Sequence, residues 1–391
     1  MPQTVILGTA RTPIGKMGGA LASLDATELG GTAIRAALER ADVAPEQVQH
    51  VVMGQVLQAG QGQIPSRQAQ IKAGVPKDVS SETINKVCAS GVRAAGILDA
   101  AIRAGDVEIA VGGGMESMSQ APYMLPEARF GFRMGDGKVI DAMTHDGLTN
   151  PFSGKHMAHE ASEVADELEL TRADMDRWAL RSHQRATAVV DPGRVAGRVG
   201  ALGGEDGLEP GQALERGVAT RGLVDLDHRV ALAPRDGDGH DLLGQASLVA
   251  CGQGALVLAS DEWALANGKQ VLATIVGQAQ VADDFAYLAR TPAAAALKVL
   301  EQAGLSAQDV DLWEINEAFA SVTLNSIRVL GIDEERVNVN GGAVALGHPI
   351  GASGARILGA LVHELRRRGG GLGCAAICSG GGQGDAVLLR V

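Results

Sequence analysis

The stretch GGAVALGHPIGASGAR (341–356) is the most distinctive part of this 391-residue chain. It holds His348 in a glycine-rich setting, where the backbone can approach a ligand closely because glycine has no Cβ. Two cysteine motifs beside glycine accompany it, NKVCASG (85–91) and CSGGGQG (378–384). A thiol reacts as the thiolate, which is favoured beside an imidazole or at the positive end of a helix. The three motifs together therefore indicate cysteine chemistry.

The first cysteine motif leads into a predicted helix. The segment ASGVRAAGILDAAIRAG predicts a helix from about Ser90 to Ala104, because its apolar residues recur at the helical period. Cys88 would then precede a helix N-terminus, where free N–H groups and the helix dipole are expected to lower its pKa and could hold an oxyanion. The alternatives are a buried structural cysteine at this position and a hydrogen-bonded loop histidine at His348.

The second cysteine motif ends a predicted strand. Cys378 closes the apolar run LGCAAIC, and Gly380 opens a glycine turn that could direct N–H groups inward. Cys374 and Cys378 are four residues apart, but a strand running into a turn does not present metal ligands, and no second ligand pair completes a zinc site. We therefore predict no metal.

The rest of the chain alternates between predicted strands and helices, which is typical of an α/β fold. The predicted strands are 4–8, 50–56, 108–114, 271–280, 311–315 and the run before Cys378, and the predicted helices are 27–40, 292–303 and the segment after 351. DVEIAVGGG (106–114) and GLGCAAICSGGG (371–382) take corresponding places in the two halves, which indicates a weak internal repeat. Between the halves, 157–190 has a helical pattern and 191–217 is typical of a loop.

Composition limits the possible partners and compartments. The formal net charge of −12 argues against nucleic acid or an anionic membrane, because both bind basic surfaces. Four cysteines in a chain of this size fit reduced thiols in a cytosol better than a disulfide scaffold. No secretory signal, peroxisomal tripeptide or apolar run of membrane-spanning length is visible. We expect a cytoplasmic enzyme that binds neither nucleic acid nor membrane.

The motifs, taken together and in order, resemble those of the thiolase family and its acetyl-CoA acetyltransferase branch. They are RTPIGK (11–16), GQVLQAGQGQIPSRQA (54–69), NKVCASG, GGGMESMS (112–119), DGLTNPF (146–152), HM (156–157), NEAFA (316–320), NVNGGAVALGHPIGASGAR (338–356) and CSGGGQG. The resemblance implies a duplicated five-layer α-β-α-β-α fold with an inserted loop domain. It places the N-terminal half at 1–120, completed by about 250–270, the inserted domain at 121–249 and the C-terminal half at 271–391.

The resemblance also implies a reaction. Two acetyl-CoA molecules would undergo Claisen condensation to acetoacetyl-CoA and CoA, or the reverse thiolysis, through an acyl-cysteine and without a cofactor. Cys88 would take the acyl group, His348 would accept or return its proton, and Cys378 would be the acid/base at the α-carbon. One oxyanion hole would come from His348 and a water held by Asn316, and another from the backbone N–H groups of Cys88 and Gly380.

The inserted segment of such proteins contacts the substrate and helps to assemble a tetramer, so the resemblance implies a homotetramer built as a dimer of dimers. The implied substrate-binding residues are Leu148, His156, Met157, Ser247, Ala318 and Phe319. The chain departs from the family pattern at 156–165, 217–255 and 287–292, which leaves acyl length and CoA contacts open. In the second of these stretches, Arg221, Arg229 and Arg235 could meet CoA phosphates or be solvated loop charges.

Two other functions stay open at this point. One is a degradative 3-ketoacyl-CoA thiolase of fatty-acid β-oxidation with a longer acyl range. The other is a non-catalytic, thiolase-like subunit that binds acyl-CoA, against which the intact Cys88, Asn316, His348 and Cys378 argue. A β-ketoacyl synthase is disfavoured, because those enzymes use two histidines.

Overall fold

A computed structural model describes residues 2–189 and 249–391. Its strands are β1 (Thr4–Arg11), β2 (Gly15–Lys16), β3 (His50–Gly54), β4 (Ser80–Ile84), β5 (Ile109–Ser117), β6 (Tyr123–Met124), β7 (Ile140–Asp141), β8 (Ala250–Ser260), β9 (Ala273–Ala282), β10 (Leu312–Ile315), β11 (Leu372–Ser379) and β12 (Gln383–Arg390). Its α-helices are α1 (Ala26–Ala41), α2 (Pro65–Lys72), α3 (Ser90–Ala104), α4 (Met157–Glu167), α5 (Arg172–Ala188), α6 (Asp261–Ala266), α7 (Thr291–Ala303), α8 (Ala320–Leu330), α9 (Ala343–Leu346) and α10 (Ser353–Arg368).

Two sheet halves with the same strand order form the centre of the fold. The N-terminal half runs β1, β8, β5, β3, β4, and the C-terminal half runs β9, β12, β11, β10 and a bridge between Trp313 and Val337. The halves meet where β1 pairs antiparallel with β9, with Val5 opposite Thr274. Strands β5 and β11 hold equivalent positions, so the predicted internal repeat is confirmed.

Helices fill three layers around the sheet halves. Helices α1 and α2 cover the outer face of the N-terminal half, and α7 and α8 cover that of the C-terminal half. Between them lie α3 and α10, whose apolar residues share one central core cluster with both halves. The α-β-α-β-α layering that we expected is therefore confirmed.

Local sequence signals set several helix ends. Asp25 caps α1 by accepting from the Glu28 N–H at 2.7 Å, and the Glu28 carboxylate accepts from the Asp25 N–H at 3.0 Å. This reciprocal pairing satisfies N–H groups that lack partners within the helix. Helix α3 has the predicted bounds. The predicted helices 27–40 and 292–303 are confirmed, with ends that differ by one residue at most.

The two central helices touch backbone to backbone at their N-terminal turns. A Cβ on Gly354 of α10 would lie 2.8 Å from the carbonyl carbon of Gly91 of α3 and would also collide with the Val92 nitrogen. Only glycine permits this approach. The contact brings the chain before α3, which carries Cys88, close to the chain before α10, which carries His348.

The segment before the second half differs from expectation. The helical pattern predicted as continuous over 157–190 forms two helices, α4 and α5. They are separated because Glu169 adopts a left-handed backbone with φ of 55°, and Thr171 then caps α5. The predicted 191–217 loop lies outside the described residues, as does most of 121–249 beyond residue 189, so the domain boundaries stay predictions. Across the described ranges, no helix is long and apolar enough to cross a membrane.

Candidate active site

A fixed turn presents Cys88 at the start of α3. Val87, just before it, has a positive φ of 43°, which for a β-branched residue costs of order 1–3 kcal/mol. Side chains hold this conformation: Asn85 Oδ1 accepts from the Val87 N–H at 2.9 Å, and Ser90 Oγ donates to the Val87 carbonyl at 2.7 Å. Ser90 Oγ also accepts from the Lys86 N–H at 2.8 Å. The turn is thus tightly constrained.

The Cys88 side chain is buried, and this decides its ionisation. Burial is the main cause that raises the pKa of the Cys88 thiol to about 12. The negative charge of Glu116 acts in the same direction, and the Cys88 and Gly380 N–H groups act against it. The expectation of a lowered pKa at the helix N-terminus is therefore wrong, because removal from water outweighs the nearby donors. Cys88 rests as a thiol.

Cys378 comes from the other half of the fold. It lies near the end of β11 opposite Gly384 of β12 and is also buried. Burial raises its pKa well above the ordinary value, and the proximity of Cys88 raises it as well. The next residue, Ser379, donates its hydroxyl to the Lys86 carbonyl and so ties this strand end to the Cys88 turn. The structure brings together the two cysteines that the sequence singled out.

His348 supplies an unused ring nitrogen. Its Nδ1 lies 2.6 Å from Ser353 Oγ, and that hydroxyl donates to the Pro349 carbonyl at 3.0 Å. With that hydroxyl donating to Pro349, Nδ1 donates its proton to Ser353 Oγ, and Nε2 keeps a lone pair. Within residues 2–189 and 249–391, Nε2 has no hydrogen-bond partner. Burial, followed by the charge of Arg356, lowers the pKa of His348 to about 3, so the imidazole is neutral. Ile350, two residues on, packs in the same cluster as Cys88.

Asn316 supplies an unused amide donor. It follows β10 directly and is fully buried. Its Oδ1 accepts from Arg356 Nη2 at 3.1 Å, whereas its Nδ2 finds no partner in the described part of the chain. A buried donor left unpaired costs free energy and is uncommon in folded proteins. Such a group is suited to hold a water or a substrate oxygen.

Apolar predicted residues line Cys378. Met157, Ala318 and Phe319 pack in one cluster with Cys378, together with Leu288. This places three of the predicted substrate-binding residues beside the second thiol. Their position fits an apolar wall for an acyl group.

The remaining predicted substrate and oxyanion residues lie around the first thiol or farther out. A Cβ on Gly380 would lie 3.3 Å from Val87, so this N–H is next to the Cys88 turn. Leu148 packs against the central cluster that contains Cys88. His156 caps α4, with its Nδ1 accepting from the Ala158 N–H at 3.1 Å. Ser247 lies outside the described residues, as do the arginines at 221, 229 and 235.

The sequence reasoning missed a buried carboxylate. Glu116, in β5, accepts from the N–H groups of Val56 at 3.0 Å, Leu57 at 3.1 Å and Gly351 at 2.9 Å. Burial raises its pKa to about 7 despite these bonds. It links the loop after His348 to the chain after β3. An acidic residue in an otherwise glycine and apolar strand was the signal that could have found it.

The two-half fold, and the two free cysteines that come together from its halves, define a thiolase, and the family models agree. The thiolase N-terminal domain matches residues 4–201 and the thiolase C-terminal domain matches residues 269–391, so the chain belongs to the thiolase family. It is 45% identical to the acetyl-CoA acetyltransferase of Cupriavidus necator, over 100% of both chains. It is 42% identical to that of Pseudomonas aeruginosa, over 100% of this chain and 99% of the relative. The crystal structure of the Bacillus anthracis acetyl-CoA acetyltransferase superposes with a TM-score of 0.91 at 35% identity, covering 100% of this chain and 99% of that one.

Proposed function

We propose that this protein is an acetyl-CoA C-acetyltransferase, which condenses two acetyl-CoA molecules to acetoacetyl-CoA and CoA and catalyses the reverse thiolysis. The observation that carries the proposal is the meeting of two buried thiols, Cys88 and Cys378, from the two halves of the fold. Claisen chemistry needs one group that carries the acyl chain and another that moves the α-proton. The named activity of full-length relatives supports the same reaction.

The first half-reaction forms the acyl-enzyme. Cys88 Sγ attacks the thioester carbonyl while His348 Nε2, which has no hydrogen-bond partner among the described residues, takes the thiol proton. The Cys88 and Gly380 N–H groups stabilise the tetrahedral oxyanion. When the C–S bond of the substrate breaks, Cys378 gives its proton to the departing CoA sulfur. Its raised pKa supports this order, because Cys378 begins as a thiol.

The second half-reaction forms the carbon–carbon bond. Cys378, now a thiolate, removes the α-proton of a second acetyl-CoA, and the enolate oxygen is held by the Asn316 amide, through a water, and by the protonated His348. The enolate carbon attacks the acyl group on Cys88. The Cys88 sulfur leaves and recovers its proton from His348, so protons balance over the cycle. These residues need no cofactor, because every step is a proton or acyl transfer.

The cellular setting belongs to the same proposal. We infer a cytoplasmic homotetramer, a dimer of dimers, that acts in fatty-acid or related acyl-CoA metabolism and has CoA and acyl-CoA as its small-molecule partners. The net charge of −12 disfavours nucleic acid and anionic membranes as partners. Support for the assembly comes from exposed apolar side chains along 121–139.

Steady-state thiolysis tests the proposed substrate. The purified chain is given free CoA with acetoacetyl-CoA or with 3-ketoacyl-CoAs of longer chain. Met157 and Leu288 crowd the apolar wall beside Cys378, so we expect kcat/KM for acetoacetyl-CoA to exceed that for the long chains by at least about tenfold. A preference for long chains would instead assign the degradative 3-ketoacyl-CoA thiolase. Absence of turnover with every substrate would support the non-catalytic acyl-CoA-binding subunit.

The division of labour between the thiols is tested by Cys378→Ala. This variant should still form acetyl-Cys88 but should lose condensation and thiolysis by about 10²–10⁴ or more, since a positioned acid/base contributes that much. It should also lose hydrogen exchange at the acetyl methyl group. Cys88→Ala, as the matched variant, should lose acylation itself. Near-normal turnover in Cys378→Ala would overturn the assignment.

A further inference from the structure

A buried ion pair lies directly behind Asn316. Arg356 Nη2 donates to Asn316 Oδ1 at 3.1 Å, and Arg356 Nη1 lies 3.3 Å from Glu314 Oε2. The side chains of Arg356 and Glu314 are each only 4% exposed. Buried ion pairs recover their desolvation cost only with good geometry and further hydrogen bonds. Burying this pair therefore costs free energy, which favours a functional role for it.

We propose that Arg356, held by Glu314, is a positioning residue that fixes the Asn316 amide with its Nδ2 donor facing the water that holds the reacting thioester oxygen. The proposal rests on the proposed function and names a residue pair for the same site. Asn316 remains the group that meets the water or substrate. Arg356 acts through it.

The amide of Asn316 and the guanidinium of Arg356 differ in their hydrogen-bonding groups. The amide of Asn316 has one donor end and one acceptor end of nearly equal shape, so rotation by half a turn exchanges them. A guanidinium has donors only, so it can be satisfied only by the amide oxygen. Arg356 thereby selects the rotamer that leaves Nδ2 unpaired in the described part of the chain. In the opposite orientation, Oδ1 would face the bridging water and could not donate to it, so the water would lose the donor that fixes its position beside the enolate oxygen.

Glu314 has a separate part in this arrangement. It sits two residues before Asn316, within β10, and so moves with the residue that it helps to position. Its carboxylate compensates the buried guanidinium charge and fixes the direction of the fork. Without it, Arg356 would carry an uncompensated charge in the core.

The first turn of α10 also orients the His348 ring. Ser353, the first residue of α10, holds His348 Nδ1, and Arg356 lies one helical turn later. Among the described residues, Nε2 of His348 and Nδ2 of Asn316 have no hydrogen-bond partner, and both are thus oriented from the first turn of α10. Catalytic donors that are fixed before the reaction need no reorganisation when charge develops.

The test removes the pair together, because removing one partner alone would leave a buried charge and could unfold the chain. In Arg356→Met/Glu314→Leu we expect kcat for condensation to fall by about 10- to 100-fold, part of the 10²–10³ that one oxyanion donor supplies. KM for acetyl-CoA should change less than about threefold, because the amide acts on the transition state. Arg356→Lys, which keeps a donor and a charge, should recover part of kcat.

Arg103→Met/Asp99→Leu is the matched control, because it too removes both partners of an ion pair. This pair, with a 2.7 Å contact and a buried Asp99, lies at the far end of α3, away from Asn316. The kcat of this control should stay within about twofold of the wild type, since surface and half-buried pairs away from the site act on stability rather than catalysis. A loss of kcat equal to that of Arg356→Met/Glu314→Leu would show a general packing effect and would overturn the proposal.

A double-mutant cycle with Asn316→Ala separates positioning from packing. In that background the loss of the ion pair should cost less than about threefold in kcat, because there is no amide left to orient. A full additional penalty would overturn the proposal. A high-resolution crystal structure of Arg356→Met/Glu314→Leu gives a readout that does not need activity. We expect Asn316 in more than one rotamer, and a single unchanged rotamer would overturn the inference even if the wild type proved to have another substrate.

Discussion

At the scale of single residues, the site rests with almost no charge on its reacting groups. Burial keeps Cys88 and Cys378 as thiols and His348 as a neutral imidazole. A free thiolate would be exposed to oxidation and alkylation whenever substrate is absent. In the proposed mechanism, the nucleophile therefore forms only as the Cys88 proton moves to His348 during attack. Reactivity therefore depends on geometry more than on a permanently ionised cysteine.

Acylation should be confined to one of the four cysteines. When acetyl-CoA is added and the reaction is quenched in acid, we expect mass spectrometry to find the acetyl group on Cys88 alone, because only this thiol combines a helix N-terminus with the Gly380 N–H. Cys88→Ser serves as the control that should lose the thioester adduct. A stable acetyl group on Cys251 or Cys374, which are also buried, would contradict the assignment.

The buried Glu116 should make stability depend on pH. Its pKa rises from 4.5 to about 7 on folding, so the folded state binds more protons than the unfolded state between these values. Stability from this group is fully present below pH 4.5 and is lost as pH rises through about 7, a change of roughly 3 kcal/mol.

We expect the loss of stability between pH 5 and pH 8 to be larger in the wild type than in Glu116→Gln, which cannot ionise. The absolute stability of the variant should be lower, since one amide N–H₂ must face backbone donors such as the Leu57 N–H. Urea unfolding at both pH values measures the difference. Equal pH dependence in the two proteins would show that Glu116 is ionised throughout.

At the scale of helices and strands, signals within a few residues of sequence predicted more of the structure than contacts between distant segments did. The bounds of α3 follow from apolar periodicity, and the start of α1 follows from Asp25 and Glu28, all within a few residues of sequence. The separation of α4 from α5 was missed, because a left-handed Glu169 leaves the helical pattern unbroken.

The candidate site shows the same difference between local and long-range signals. Motifs located the two cysteines, the histidine and Asn316, whereas the pKa of Cys88 was expected in the wrong direction because burial is set by segments distant in sequence. The contact between Arg356 and Asn316 spans 40 residues, and no local pattern encodes it. Sequence motifs thus located the candidate reacting groups, and the fold was needed to find the contacts that hold them.

The crossing of α3 and α10 offers a prediction at this scale. Gly354→Ala places a methyl group against the backbone of Gly91 and Val92, so the helices must separate. We expect a destabilisation of about 2 kcal/mol or more and a loss of kcat of at least about tenfold, because both helix N-termini carry site residues. Thermal unfolding and steady-state assays measure the two effects.

Gly359→Ala is the control on the same helix. Its Cβ would meet its nearest neighbour, Thr9 Oγ1, at 3.4 Å, an ordinary contact. Because alanine favours helix over glycine, this variant should keep its activity and gain up to about 1 kcal/mol of stability. Wild-type activity in Gly354→Ala would mean that the helix crossing does not set the geometry of the site.

At the scale of the whole molecule, each half contributes one of the two site thiols, Cys88 and Cys378, and the segment after β5 carries exposed apolar side chains. Large apolar side chains between β5 and the π-helical turn at Met143–Leu148 are exposed: Tyr123, Leu125, Phe130, Phe132, Met134 and Val139. Single exposed apolar residues are ordinary, but several within one short segment favour an interaction surface. We name this set the 123–139 surface and expect it to be covered by a second copy of the chain.

The predicted assembly is a homotetramer, and the 123–139 surface should hold its dimers together. Phe130→Asp/Met134→Asp places two charges on side chains that are 85% and 96% exposed in the single chain, so the fold should persist while association weakens. Light scattering at micromolar concentration should give a tetramer for the wild type and a dimer for the variant. Leu265→Asp, on α6, is the matched control, since Leu265 is 84% exposed but stands apart from this surface, and it should remain tetrameric. A monomeric wild type would refute the tetramer. A tetrameric double variant would show that the dimers associate through another surface. Carboxylates buried opposite each other across a symmetric interface repel, so an interface formed by these residues would lose affinity.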